Sequence, residues 1–242
     1  MNIINRFAAV TLGLAAPCLP IEPVGAQEFP DQQLYGNVLV DLLEYRGGRG
    51  RGAFTFDGQA WYGSDYDKIW IKSQGNYDRN SNRVDSAEVQ VLYSRLLSYY
   101  FDFQVGVRRD FKPNPSRTYG VIGIQGLAPG FFEIDTQAFV SETGDVSGRF
   151  TGAYDLLITN RLILQPRAEI NAAVQRVPEL STGSGITSFD VGARLRYEFR
   201  REFAPYIGVS WERKLGETSA IAKRQGQAQS TVSFVGGVRF WF

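Results

Sequence analysis

The alternation of apolar and polar residues along this chain predicts an all-β fold: a closed antiparallel transmembrane β-barrel of about 12 strands, with short periplasmic turns and longer external loops. Three observations lead there. Segments of period two follow one another from residue 36 to the end. The connections between them alternate between short and longer. An apolar leader opens the chain and an aromatic strand closes it.

The segments come first. Phe54, Phe56, Gly58, Ala60 and Tyr62 share a face opposite Thr55, Asp57, Gln59 and Trp61. Ile69, Ile71 and Ser73 oppose Lys68, Trp70, Lys72 and Gln74, and Val89, Val91 and Tyr93 oppose Glu88, Gln90 and Ser94. Phe101, Phe103, Val105 and Val107 oppose Asp102, Gln104 and Arg108, and Phe132, Ile134 and Thr136 oppose Glu133, Asp135 and Gln137. Leu162, Leu164, Ala168 and Ile170 oppose Arg161, Gln165, Arg167 and Glu169. Phe189, Val191 and Leu195 oppose Asp190, Arg194, Arg196 and Glu198, and Val232 to Phe242 repeats the pattern around Arg239. Residues 36–45, 117–128, 146–156 and 203–214 complete the set, each near the ~9–11 residues of a tilted membrane strand. The alternation is weak over 117–128, so the facing there is open. Pro166 has no N–H for a ladder, which predicts a bulge or local break.

The connections give an independent test. With the first strand running outward, the odd connections fall at 46–52, 78–83, 112–115, near Glu142, 177–186 and 216–230. The even ones, near Ser64, Leu97, Pro129, Thr159 and Arg201, are all short. Short inner turns and longer outer loops are the asymmetry of bacterial outer-membrane barrels, and a soluble sandwich has no cause to sort its loops this way.

Residues 1–26 read as a secretory signal peptide: Arg6, then the apolar run Phe7–Ala16, then Val24-Gly25-Ala26 as a small-residue cleavage site. Pro17, Pro20 and Pro23 break the segment short of a spanning helix. Pro17 before Cys18 fits lipoprotein processing poorly. Residues 27–242 are then one outer-membrane barrel domain. The ending Val238-Arg239-Phe240-Trp241-Phe242 resembles the signal read by the barrel-assembly machinery. The expected surroundings are outer-membrane lipid and lipopolysaccharide. The Arg- and Gly-rich stretch 46–52 reads as a solvated external loop, with anionic head groups as the alternative ligand.

Composition removes other classes. A net charge of +1 gives no footprint for nucleic acid. The chain has no His, its single Cys is Cys18 and its single Met is Met1. Ser-His-Asp, Cys-His and His-metal constellations are therefore absent, and no carboxylate pair is singled out, so the residues argue against an enzyme. An organic cofactor has no motif here. The inner face gathers charges of both signs, which in a narrow interior must pair or meet water. Twelve strands lie between a filled barrel and a water channel.

At this point several blocks resemble the copper resistance protein B family of outer-membrane proteins. They are Leu34-Tyr35-Gly36 with Leu39-Val40-Asp41, residues 57–68 (DGQAWYGSDYDK), 87–95 (AEVQVLYSR), 125–129, 161–169 (RLILQPRAE), 200–206 and the 238–242 ending. The resemblance runs from about residue 34 to 242 and keeps the order of the blocks. It implies a barrel in periplasmic copper resistance, moving or sequestering copper ions with a periplasmic multicopper oxidase as partner. Soft thioether and thiolate ligands suit Cu(I) and imidazole suits Cu(II), and residues 27–242 contain none of these. Copper is thus expected as a transported or weakly bound ion. The inner carboxylates Asp41, Asp57, Glu88, Glu133, Asp135 and Glu169 are the candidate metal contacts. A general small-solute pore and a structural barrel without a metal role remain the alternatives.

Overall fold

The computed structural model describes residues 33–48 and 51–242. The expected signal peptide lies outside them. The strands are β1 (Tyr35–Gly48), β2 (Arg51–Gly63), β3 (Asp67–Asp78), β4 (Arg83–Ser98), β5 (Phe101–Lys112), β6 (Arg117–Ala128) and β7 (Phe132–Ser141). Then come β8 (Val146–Tyr154), β9 (Leu156–Leu157), β10 (Leu162–Ala173), β11 (Gly185–Tyr197), β12 (Phe203–Lys214) and β13 (Ser230–Trp241). Each pairs antiparallel with its neighbour, β10 joins β11, and β13 returns to β1 with Leu39 opposite Trp241. Among the described residues the sheet closes on itself through the β13–β1 pairing. The 13 strands make 12 staves, since β8 and β9 are two pieces of one, both paired to β10.

Alternation sets the two faces. Leu43, Phe54, Ile69, Ile71, Val91, Val107, Ile122, Val140, Val191, Ile207 and Phe234 are exposed on the outside, where lipid takes the place of water. Tyr62, Tyr66, Tyr99, Tyr100, Phe131, Phe199 and Phe242 crowd the short-turn end as exposed aromatics, the expected girdle. The open question over 117–128 is resolved: Arg117, Tyr119 and Val121 are buried inward, while Ile122 and Ile124 face out.

The ladder breaks where Pro166 predicts. Its pairing to Ala193 on β11 is unbroken, but on the other side β8 stops at Tyr154 and β9 starts at Leu156. One other expectation needs correction. Arg46 is not in a loop, because β1 and β2 stay paired as far as Gly48 and Arg51. The long connection at 216–230 carries helix α1 (Gly216–Arg224), with Glu217 in its first turn and Lys223 and Arg224 in its last. That charge order suits the helix dipole.

The two longest connections, residues 174–184 and 215–229, sit at the same end and bind each other. Arg176 pairs with Glu217 at 3.1 Å, the Gly183 N–H donates to Thr218 Oγ1 at 2.9 Å, and Gln225 donates to Ser181 Oγ at 2.8 Å. A 3-10 turn, Pro178–Leu180, brings Glu179 to Arg117 on β6, which also holds Asp145 between β7 and β8. The loop from β10 to β11 is thereby tied to β6.

Candidate functional site: the barrel lumen

The lumen is built by inward side chains, one every second residue of each strand. On β3 to β7 these make a packed cluster of Trp70, Leu92, Tyr119, Val121 and Phe139, with Trp61 against it. Arg108 lies over the Tyr119 and Phe139 rings at 5.2 and 4.5 Å from the centroids, and Arg149 lies over Phe139 at 5.7 Å. Aromatic faces attract guanidinium groups, so the cluster also supports the charges beside it.

Around it runs a network of ion pairs. Arg167 reaches from β10 to Asp41 on β1 at 2.8 Å and Asp57 on β2 at 2.9 Å, and Arg239 holds the other oxygen of Asp41 at 2.9 Å. Arg149 forks onto Glu88 at 2.8 and 2.9 Å, and Arg108 reaches the same carboxylate at 2.7 Å and Asp110 at 2.6 Å. Lys72 bridges Asp135 at 2.7 Å and Gln104 at 3.0 Å, and Lys68 pairs with Asp102 at 2.9 Å. Arg196 holds Asp155 at 2.7 Å. The most enclosed group is Glu44, fully buried, taken by both arms of Arg194 at 2.9 Å, by Arg46 at 2.8 Å and by the Tyr206 hydroxyl at 3.1 Å. Gly237, opposite Glu44 in the ladder, leaves room for it: a Cβ there would lie 2.8 Å from both Glu44 Cβ and Tyr206 Oη.

Two cavities lie in this interior. One, of about 580 Å³, reaches the short-turn end, where Leu96, Tyr99, Tyr100 and Leu127 line it. The other, of about 230 Å³, is lined toward the long-loop end by Arg46, Thr55, Asn76, Ser188 and Glu212. Asp57, Gln74 and Arg167 line both. The bridge Asp41–Arg167–Asp57 therefore stands between them.

The six candidate carboxylates divide as follows. Asp41 and Asp57 meet on Arg167, Glu88 is matched by two arginines and Asp135 by Lys72. Glu169 is held loosely, 3.8 Å from both Arg149 and Arg167, and accepts from Asn171 at 3.0 Å. Glu133 lines the larger cavity, and among the described residues its carboxylate makes no ion pair or hydrogen bond. Among the described residues, no three His, Cys, Asp or Glu side chains are gathered so as to hold a metal ion. Glu44, the most enclosed carboxylate, and its partner Arg46 escape the sequence reading because β1 carries a bulge. Register shifts between Val40 and Leu42, so Leu39 and Asp41 face inward, and then Leu42, Glu44 and Arg46 do. The Leu42-Leu43 doublet, which breaks strict alternation, is the signal for it.

With this geometry in hand, known proteins can be compared. The profile of the family described as Copper resistance protein B precursor matches residues 34–242. Copper resistance protein B of Escherichia coli is 44% identical over 205 residues, covering 85% of this chain and 69% of that protein. A Copper resistance protein B homolog of Pseudomonas syringae pv. tomato is 35% identical over 212 residues, covering 88% of this chain and 71% of that one. Among solved structures, the NanC porin superposes with a TM-score of 0.54 at 16% identity, over 85% of this chain and 99% of the porin, a likeness of fold alone. A closed 12-stave barrel with an apolar outer wall, matched in sequence over its whole length, belongs to the copper resistance protein B family of the outer membrane.

Proposed function

We propose that this barrel acts in copper resistance by passing or handling copper ions between the periplasm and the exterior, with a periplasmic multicopper oxidase supplying the selectivity the barrel lacks. The carrying observation is a polar lumen with a 580 Å³ cavity at its short-turn end, inside a chain 44% identical to a copper resistance protein. The donor set does not fit a resident copper site. Among the described residues the lumen offers a metal only carboxylate, hydroxyl, phenol and amide oxygens beside its cationic side chains, and most of the carboxylates are already matched by Arg or Lys. Copper is then cargo, met in transit by Asp41, Asp57, Glu88, Glu133, Asp135 and Glu169 as weak, exchangeable contacts.

The test is copper tolerance and periplasmic copper content in a deletion strain, complemented with wild type, with Glu133→Gln, or with Glu88→Gln plus Glu169→Gln. Sensitivity rescued by wild type and weakly by the variants supports the reading. Heat-modifiable migration checks that each variant assembles, and Glu133→Gln breaks no ion pair. Tolerance equal to the parent without the gene overturns it. The ionic bridge between the cavities favours one rival, a structural barrel without conductance, which planar-bilayer recording distinguishes.

A further inference from the structure

The outer wall carries few charges, and the two ends of the barrel treat them differently. At the short-turn end, Arg95 on β4 faces Asp67 on β3 across the ladder, so each has an opposite charge beside it. At the long-loop end the wall carries Arg109 on β5 and Arg213 on β12. Parity puts both on the lipid side. Val105, Val107, Arg109 and Phe111 are exposed, while Gln104 and Asp110 between them are buried. Ile207, Val209, Trp211 and Arg213 are exposed, while Tyr206 and Ser210 are buried. No carboxylate faces either cation: Arg109 stands between Val89 and Thr118, and Arg213 between Phe189 and Ser230. Among the described residues neither makes an ion pair, whereas the arginines of the lumen are matched by carboxylates.

Arginine on the lipid face is costly at the bilayer midplane and tolerated near the interface. An unmatched one at the interface is satisfied best by an anion that the bilayer itself supplies. Arg109 is the better built of the two. Its guanidinium donates to Thr118 Oγ1 and, at 3.0 Å, to Ser116 Oγ. Those bonds fix the planar fork, and because the hydroxyl oxygens accept them, both hydroxyl hydrogens are left to point at an outside oxygen. Lys112, paired with Ala87 where the ladder bulges, adds a second cation with no ion pair among the described residues. Glu142, whose N–H donates to the Thr118 carbonyl at 3.0 Å, makes no ion pair with Arg109. We propose that Arg109, Lys112, Ser116 and Thr118 bind a phosphate group of lipopolysaccharide in the outer leaflet. Guanidinium matches phosphate bidentately and the hydroxyls complete the donor set. Exposed Val107 and Phe111 on the same face give the acyl chains of that lipid an apolar wall, which a free phosphate would not use. Arg213 offers a plainer second contact beside Trp211 and Phe189, whose rings meet edge-on at 4.9 Å. This site is independent of the copper-handling reading.

The experiment is native mass spectrometry of the detergent-folded barrel titrated with bisphosphorylated lipid A. The expected result is a retained lipid adduct. Arg109→Gln plus Lys112→Gln should weaken it about tenfold or more, and Arg213→Gln by a smaller factor. Arg109→Lys, which keeps the charge and loses the fork, should fall between wild type and the double variant. Heat-modifiable migration checks that each variant is folded. Equal binding of dephosphorylated lipid A, or equal binding by the double variant, would overturn the site. Phosphatidylglycerol bound as tightly would reduce it to a patch for any anionic lipid, and release of the lipid by excess inorganic phosphate would reassign it to the free ion. Either result defeats the proposal.

Discussion

The lumen is filled in two ways. The staves from β3 to β7 add an aromatic cluster to their ion pairs, with Phe139 and Leu92 almost wholly buried against Trp70, Tyr119 and Val121. The staves from β10 through β13 to β2 fill it by charge, with Arg167, Arg194 and Arg239 reaching Asp41, Glu44 and Asp57. Packing is non-directional and indifferent to salt. Paired charges are directional and hold only while both partners are present. The aromatic half is therefore a fixed wall, and the ionic half is the one that a substitution can open.

The largest effect should come from breaking the most enclosed pair. Arg194→Leu leaves the Glu44 carboxylate with only Arg46 and Tyr206, and breaking a buried pair by removing one partner costs about 3–5 kcal/mol. The urea midpoint of the folded barrel should fall, and adding Glu44→Gln should restore much of the loss. A double variant as unstable as the single one would show that the ion pair is not the cause. In the packed half, Phe139→Ala should cost about 3 kcal/mol through the cavity it leaves, with a change that is the same at low and high salt. A strongly salt-dependent loss there would erase the contrast between the two halves.

Arg167→Gln should cost less, about 2 kcal/mol, because Asp41 keeps Arg239 and Asp57 keeps Gln74 at 3.1 Å. Its larger signature is electrical. Removing the bridge joins the 580 and 230 Å³ cavities, so single-channel conductance should rise above wild type. Equal conductance would place the constriction elsewhere, for which the tied loops at 174–184 and 215–229 are the next candidates.

How far the sequence discloses this differs between the halves. The outward face and the stave count follow from period-two alternation, because every second residue must meet lipid. Asp41, Asp57, Glu88, Asp135, Arg149 and Arg167 fall on the inner face by the same parity. Glu44 and Arg46 do not, since the β1 bulge shifts parity midway along the strand. The pairing of Arg167 with two strands far away in sequence is equally hidden, because barrel closure sets it and no local spacing does. The segment 117–128 reads poorly because its inward residues Tyr119 and Val121 are apolar, so both faces look alike.

The smallest effect lies outside both halves, at the long-loop rim. Asp145 accepts from the Thr143 hydroxyl at 2.8 Å and from Arg117, and these contacts hold its carboxyl below the usual aspartate range. A depressed folded pKa adds stability that is present above the ordinary aspartate value and is lost as pH falls through the lower, folded value. Because Asp145 sits in a rim connection and is only partly buried, the contribution is small. Asp145→Asn should lower stability slightly at neutral pH and converge on wild type at low pH, which flattens the acid end of the stability-versus-pH curve. Glu179, on the same Arg117, should keep the loop from β10 to β11 tied down in that variant. Limited proteolysis checks this: loop 174–184 should stay resistant in Asp145→Asn and become cleavable in Arg117→Ala. Equal cleavage in both would mean that Glu179 alone cannot hold the loop, and that the tie depends on the three charges together.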